Sequence, residues 1–325
     1  MSPQPPNPGS RRPGPLHTAP AGPLAASLTA ATLWGVFPVL IAVGALTPGA
    51  AGPAFTVWLN AAGGLAALLF GCLGPHRPLA RLAGLLRAPR RLALLVANAG
   101  FIALANTLAF LALAGEGRIV SALVLDAWPI LAALLLPLAV PGYTRWRWRQ
   151  APALLLALTG FALMHRTGAA DTTALALALL STLCQVATVC LHQRLVANAP
   201  IALSAREMLV LQGIRMVLAS AIALPLALVW GGSAALLAPS AGTLAASVCA
   251  GLLITLSALL STWSLERSRA PSLALAWLLA PAVTIALLAV FGLDRLSLEI
   301  AIGSALVLSA LALDLRTRGQ PRTPD

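Results

Sequence analysis

Two ionisable side chains, Asp126 and Arg215, lie deep inside long apolar segments of this chain. Each is eight residues from the nearer end of its segment, counted from Arg118 and from Glu207, which is about 12 Å at about 1.5 Å per residue. In a bilayer core of about 30 Å their backbones would differ in height by about 6 Å, a gap that an arginine side chain spans. Ionisable groups at this depth are costly and usually functional. We hypothesise that the two side chains pair with each other across the interface between the two halves of the chain.

Three interpretations of Asp126 and Arg215 stay open. A static ion pair would only fix the packing of the helices. A gate or a site for a substrate anion would give the pair a role in function, and a lack of contact would leave each side chain with other partners. Asp126 is also a candidate for carrying a coupling proton, because membrane-buried acidic residues often form proton relays.

Uncharged polar side chains occur at a similar depth in other apolar segments. They are Asn60, Asn98, Asn106, Gln185 and Gln212. Asn98 and Asn106 are eight residues apart and therefore lie on roughly one face of a helix. A buried amide needs hydrogen-bond partners, which it finds in a neighbouring helix or in a polar solute. The sequence leaves both roles open, and these side chains are candidates for lining a substrate cavity.

Three tryptophans lie well inside apolar segments, each within four residues of a proline. The pairs are Trp34 with Pro38, Trp128 with Pro129 and Trp277 with Pro281. The other five tryptophans lie near segment ends, where the membrane–water interface favours them. Because proline kinks a helix, a kinked helix with a central tryptophan is a candidate cavity wall. Simple packing or lipid contact is the alternative.

These residues must be positioned by helices, and the composition indicates membrane-spanning ones. The 325 residues are 59% hydrophobic and only 9% charged, against about 25% charged in soluble domains. Ten apolar blocks have about the length of a membrane helix, are dominated by the helix formers Ala and Leu and lack the alternation of barrel strands. We predict an all-α integral membrane protein with ten transmembrane helices. The predicted spans are residues 23–46, 54–74, 92–114, 118–139, 151–165, 172–191, 207–230, 241–263, 270–291 and 297–315.

The positions of the arginines predict the orientation, because cytoplasmic flanks of membrane helices are rich in basic residues. With the N-terminus inside, seventeen arginines flank the inner ends of the spans and only Arg118, Arg166 and Arg295 flank the outer ends. Arg215 is left inside a span. We therefore predict a multi-pass protein of the cytoplasmic membrane with residues 1–22 and 316–325 as cytoplasmic tails. Arginines beside membrane helices explain the net charge of +12, because they favour the cytoplasmic surface of a bilayer. No nucleic-acid partner is therefore expected.

The two halves of the chain share a pattern of helix, glycine-containing turn with arginine, and helix. The aligned positions are Pro129 with Pro281, Gly142 with Gly292, Arg145 with Arg295 and, further upstream, Asn60 with Arg215. Two five-helix repeats in one chain must face opposite ways, which is the architecture of many secondary transporters. We predict inverted repeats at residues 23–168 and 169–315.

On these residues the chain resembles the drug/metabolite transporter superfamily and, within it, the EamA-type permeases. The resemblance covers about residues 22–315. Its carriers are Leu33-Trp34-Gly35, Pro129, Arg215, Pro281 and the closing stretch GLDRLSLEIAIGSALVLSALAL. Asn60 and Tyr143-Thr144 depart from the family pattern and leave the substrate class open. The resemblance implies a 5+5 inverted bundle that moves small organic solutes across the cytoplasmic membrane, often outward.

The leading prediction is a secondary transporter that moves a small organic metabolite, such as an amino acid, by alternating access. The runner-up is a non-transporting scaffold or assembly subunit of the same fold. An enzyme is not expected, because the nucleophile-elbow, HExxH and phosphate-loop motifs are lacking and His165 and His192 lie near span ends. No cofactor or metal is expected, since no C-x-x-C pair occurs. The expected partners are the solute and the lipid bilayer; a coupling proton and a homodimer stay open.

Overall fold

Every regular element in the described part of the chain is an α-helix. The structure, a computed structural model, describes residues 21–47, 50–73, 78–128, 131, 135, 151–166, 171–197, 203–230, 232–267 and 279–318. The helices are α1 (Ala21–Ala45), α2 (Gly52–Cys72), α3 (Pro78–Leu86), α4 (Pro89–Ala114), α5 (Arg118–Asp126), α6 (Ala151–Arg166), α7 (Thr172–Ala197), α8 (Ala205–Trp230), α9 (Gly232–Leu237), α10 (Ala241–Arg267), α11 (Leu279–Val290) and α12 (Leu298–Arg318).

Six of the described helices are long and apolar enough to cross a membrane: α1, α2, α4, α7, α8 and α10. Their outer faces carry large apolar side chains, such as Leu65 at 62% exposure and Val229 at 88%, which a bilayer would cover. The chain is therefore consistent with an all-α membrane protein. The other four predicted spans overlap the described helices α5, α6, α11 and α12. The first three have at most 16 described residues each, and the apolar part of α12 is limited to Leu298–Ala310. The short helices α3 and α9 were not predicted.

Several helices begin at residues that satisfy the free backbone N–H groups of a first turn. At the start of α8, the Glu207 carboxylate accepts a hydrogen bond from the Ser204 N–H at 2.7 Å, and the Ser204 hydroxyl accepts one from the Glu207 N–H at 3.3 Å. This reciprocal arrangement is a capping box. Ser240 caps α10 and Ser297 caps α12 in a simpler way. These caps fix where the helices that carry the central residues begin.

Helix α2 lies in backbone contact with α8 and α10, because glycines occupy the contact points. A Cβ on Gly64 would lie 3.1 Å from the Gly213 carbonyl oxygen, and a Cβ on Gly213 would lie 2.9 Å from the Gly64 carbonyl oxygen. A Cβ on Gly251 would collide with the Leu59 carbonyl oxygen of α2. Small residues permit this close approach in membrane bundles. The glycines therefore place α2 at the centre of the bundle.

Most of the large contacts between helices have an equivalent when each helix of the first half is exchanged for its counterpart in the second half. In this exchange α1, α2, α4, α5 and α6 correspond to α7, α8, α10, α11 and α12. The matched contacts are α4 on α7 with α10 on α1, α4 on α8 with α10 on α2, and α5 on α7 with α11 on α1. Three further contacts, α2 on α8, α5 on α11 and α6 on α12, join a helix to its own counterpart.

The two ends of the bundle are held by different contacts. At one end, called here the clasp end, Arg118 Nη1 donates to the Leu293 carbonyl oxygen at 2.9 Å. There the Ile119 N–H also donates to the Asp294 carboxylate at 2.7 Å, so the start of α5 is tied to the turn after α11. At the opposite end, called the arginine end, Arg81 forms an ion pair with Glu207 at 2.8 Å.

Candidate functional site

A cavity of about 400 Å³ lies in the middle of the bundle. Residues of α1, α2, α4, α7, α8 and α10 line it, together with Trp128, so both halves of the chain contribute. Along α7 its wall runs from Gln185 to His192, and along α8 from Met208 to Met216. The cavity therefore extends from mid-bundle toward the arginine end. Seven of the predicted candidates line it: Trp34, Asn60, Asn106, Trp128, Gln185, Gln212 and Arg215.

Among the described residues of this wall, Arg215 carries the formal charge, and its partners are neutral. It is buried, with 9% of its surface exposed. Its guanidinium donates to Asn98 Oδ1 at 3.5 Å and to Gln212 Oε1, one turn earlier on the same helix. Its Nε atom is buried without a hydrogen-bond partner. The cation is thus held by two amide oxygens and keeps one unpaired N–H group facing the interior of the protein.

The predicted asparagines connect helices around the cavity. Asn98 on α4 donates through Nδ2 to the Thr188 carbonyl oxygen on α7 at 2.6 Å. Asn106, two turns further along α4, donates to Asn60 Oδ1 on α2 at 2.9 Å. Asn60 and Asn106 face the cavity, whereas Asn98 lies behind the wall and reaches it through Arg215. The amides therefore make interhelical hydrogen bonds, and two of the three also face the cavity.

Asp126 lies outside the cavity wall, in contact with α1 and α11. It is 6% exposed. Thr284 Oγ1 lies 3.3 Å from its Oδ2 atom, and the side chain of Trp34 is its second hydrogen-bond partner. Thr284 Oγ1 also lies 2.8 Å from the Gly35 carbonyl oxygen. Trp34 lines the cavity, so Asp126 is connected to the cavity through one shared indole.

The expected ion pair between Asp126 and Arg215 is not formed, although both side chains belong to the described part of the chain. Helix α5 carries Asp126 against α11, while α8 carries Arg215 against α2 and α4. Depth in the membrane follows from counting residues, but the face on which a side chain lies depends on which helices are neighbours. The pairing hypothesis is therefore wrong for this conformation, and the partners of both groups are uncharged.

The tryptophan and proline predictions have separate outcomes. Trp34 and Trp128 both line the cavity, and the Trp34 ring lies 5.9 Å from that of Phe37 between centroids. Helix α1 continues through Pro38, and Pro281 is buried in α11. Trp277 and Pro129 lie outside the described residues.

Three polar residues of the wall were not among the sequence candidates: Thr188, His192 and Ser257. The predicted span ends at residue 191 and excludes His192, whereas α7 continues to Ala197 and buries the His192 Nδ1 atom without a partner. The basic Arg194 in the last turn is the signal that would have extended this helix, because cations favour helix C-termini. The Ser257 hydroxyl donates to the Ala30 carbonyl oxygen at 2.8 Å, and its role is to join α10 to α1.

Comparison with known proteins adds information on the fold. No family model matches the chain, and no curated protein matches it. Fourteen chains of solved structures do match. One, described as "Crystal structure of protein", is similar with a TM-score of 0.60 at 20% sequence identity, over 93% of this chain and 100% of that chain. At this identity the likeness concerns the fold alone, and it extends over nearly the whole helical bundle.

Proposed function

We propose that the protein is a secondary transporter that moves a small organic metabolite by alternating access. The observation that carries the proposal is the central cavity, which both halves line with polar side chains. Its volume of about 400 Å³ falls in the range of small-molecule sites. Transporters built from inverted repeats have their substrate site at such an interface, near the bilayer middle.

The matched helix contacts support two five-helix repeats at residues 23–168 and 169–315. Asn60 and Arg215, which occupy equivalent positions in the predicted repeats, both line the cavity. Their helices α2 and α8 pack directly against each other. Gly35, in the Leu33-Trp34-Gly35 stretch of the family resemblance, lets α11 approach α1. We therefore propose membership of the drug/metabolite transporter superfamily. The chain would then cross the membrane ten times, and its two five-helix repeats would have opposite orientations.

The difference between the two ends supports one step of a transport cycle. The clasp end is tied across the halves by Arg118 and Asp294, and the aromatic rings of Phe55 and Phe110 pack 5.0 Å apart in the adjoining core. The cavity extends toward the arginine end. In the proposed orientation the arginine end is cytoplasmic, so this conformation presents the site to the cytoplasm. Release on the other side requires the clasp contacts to separate.

The orientation has a direct test. Reporter fusions that are active only in the cytoplasm should be active at both termini and after residue 87, and inactive after residue 116 and after residue 239. The opposite pattern contradicts the proposed orientation. Termini on different sides contradict the count of ten spans, because an even number of spans places both termini on one side.

Transport itself is tested with the purified full chain in liposomes. We expect accumulation of at least one member of a broad panel of labelled metabolites above protein-free liposomes. Flux that changes with an imposed proton gradient supports a coupling proton, and flux that is insensitive to the gradient removes it. A well-folded protein that moves no member of the panel favours the scaffold function instead.

A further inference from the structure

We propose that the cavity binds an organic monocarboxylate and that Arg215 binds the carboxylate group. This inference rests on the proposed transport function for its biological meaning, but the binding site itself is tested independently of flux. Arg215 is nine-tenths buried in the wall, and its known partners are the amide oxygens of Asn98 and Gln212. A buried cation without a counterion is costly, and a bound anion would supply the missing charge.

The described wall contains no other charged side chain of either sign. No aspartate or glutamate belongs to it. Asp126, the buried carboxylate closest in sequence to the wall residue Trp128, is held by Thr284 and Trp34. The described wall therefore carries one formal positive charge from Arg215, which a single negative charge on the ligand would balance.

The hydrogen-bonding groups left over in the cavity point to the same chemistry. Three buried nitrogen atoms of wall residues have no hydrogen-bond partner: Asn60 Nδ2, His192 Nδ1 and Arg215 Nε. The amide and guanidinium nitrogens are donors, and a histidine nitrogen donates in its protonated forms. A carboxylate offers only acceptors, with two oxygens and about four lone-pair sites, and its bonds to guanidinium are charge-assisted.

The rest of the wall indicates the body of the ligand. Trp34, Phe37 and Trp128 supply aromatic surface, and Ile102, Met216 and Ile254 supply aliphatic surface. The described wall has no carboxylate to balance an ammonium group. We therefore expect an apolar or aromatic body attached to one carboxylate, with no requirement for an α-amino group. The expected solute is therefore a monocarboxylate that does not need the amino group of an amino acid.

The test compares four probes that share one body and differ in their polar groups. They are 3-phenylpropanoate, 3-phenylpropanamide, 3-phenylpropylamine and phenylalanine. Binding to the purified full chain is followed by tryptophan fluorescence, because Trp34 and Trp128 line the cavity. We expect 3-phenylpropanoate to bind at least about tenfold more tightly than the amide and the amine, and at least as tightly as phenylalanine.

Variants on one helix then assign the contact. Arg215→Gln should weaken binding of 3-phenylpropanoate by about 10- to 100-fold and leave the affinity for the amide nearly unchanged. Arg206→Gln is the matched control, because Arg206 lies on the same helix, is exposed and donates to the Leu73 carbonyl oxygen. It removes the same charge and should leave both affinities unchanged.

Several outcomes overturn the proposal. They include equal binding of carboxylate and amide by the wild-type protein, no saturable binding of the carboxylate, and unchanged carboxylate affinity in Arg215→Gln. If Arg215→Gln does not fold, the affinities of the wild-type protein for the four probes test the proposal on their own. Selective carboxylate binding without flux in liposomes keeps the site and removes the transport function. Flux of other solutes without a preference for carboxylates in binding keeps the transport function and removes the carboxylate site.

Discussion

Arg215 and Asp126 are both buried near the middle of the bundle, yet their surroundings differ. Arg215 lines a cavity, bonds two amide oxygens and retains an unpaired N–H group. Asp126 is enclosed between helices by the Thr284 hydroxyl and the Trp34 side chain. The difference shows that a buried charge in a helical bundle can either face a cavity, where a ligand has room, or join neighbouring helices. Substitutions that change the partners of Arg215 or of Asp126 test this distinction.

The largest effect is expected from giving Arg215 an internal counterion. In Asn98→Asp a carboxylate replaces the amide whose oxygen lies 3.5 Å from the guanidinium, and the ion pair competes with the solute. Affinity for 3-phenylpropanoate should fall by about 10- to 100-fold in the fluorescence titration. Asn98→Ala also loses the bond to Thr188 but adds no charge, and should lose much less. Equal losses in both variants would place the effect in helix packing instead.

Asp126 should matter more for stability than for ligand recognition. Asp126→Ala leaves the Trp34 side chain without this acceptor, whereas the Thr284 hydroxyl keeps the Gly35 and Ala280 carbonyl oxygens. The loss should lower the free energy of unfolding by about 1–3 kcal/mol. Denaturation by SDS in mixed micelles measures this. Asp126→Asn keeps an acceptor oxygen in place and should cost less. A loss of carboxylate selectivity in Asp126→Ala, with stability unchanged, would reverse the roles of the two regions.

Trp34 is the residue that the two regions share, so its change should affect both by a moderate amount. Trp34→Phe keeps an aromatic wall but removes the indole N–H. We expect about 1 kcal/mol less stability, and a several-fold weaker affinity for the probe. Trp230→Phe is the control, since Trp230 is 69% exposed at the end of α8. An affinity change without a stability change would separate the cavity wall from Asp126.

The smallest effect is expected at Thr284. Its hydroxyl lies near three oxygens and is 3.3 Å from Asp126, so its single proton is shared. Thr284→Val should lower the free energy of unfolding by about 0.5 kcal/mol, the low end for a buried hydrogen bond. Thr159→Val removes an exposed hydroxyl that bonds within α6 and serves as its control. A loss as large as that of Asp126→Ala would make Thr284 the main partner of the carboxylate.

Part of this site could be predicted from the sequence because membrane depth is a matter of counting. The depth of the candidate residues in their apolar segments predicts a common cavity, and the structure places in one cavity wall Trp34, Asn60, Asn106, Gln185 and Arg215. Depth does not determine which face of a helix meets which neighbour, so Asp126 and Arg215 were paired wrongly. The end of a span is also hard to predict where polar residues begin. The predicted span therefore ends at residue 191, just before His192, although the helix continues to Ala197.

The helical, apolar character of the chain followed from composition, and six long apolar helices agree with it. The count of ten spans stays a prediction, because the apolar parts of the four remaining helices are shorter than a membrane span over the described residues. The contacts of Gly213 and Gly251 with α2 could not be anticipated. Glycine is frequent throughout the chain, with 26 copies, so no single glycine marks a contact by its sequence alone.

The glycine contacts of α2 have a consequence for substitution. Where Gly64 faces Gly213 and where Gly251 faces Leu59, backbone atoms of two helices lie close together, and the Val217 side chain also packs onto Gly64. A Cβ on any of these three glycines would lie within 3.1 Å of a carbonyl oxygen of the facing helix, so the helices themselves would have to move apart. Even a change from glycine to alanine at these positions should therefore alter the spacing of the helices around the cavity while leaving its wall residues chemically intact.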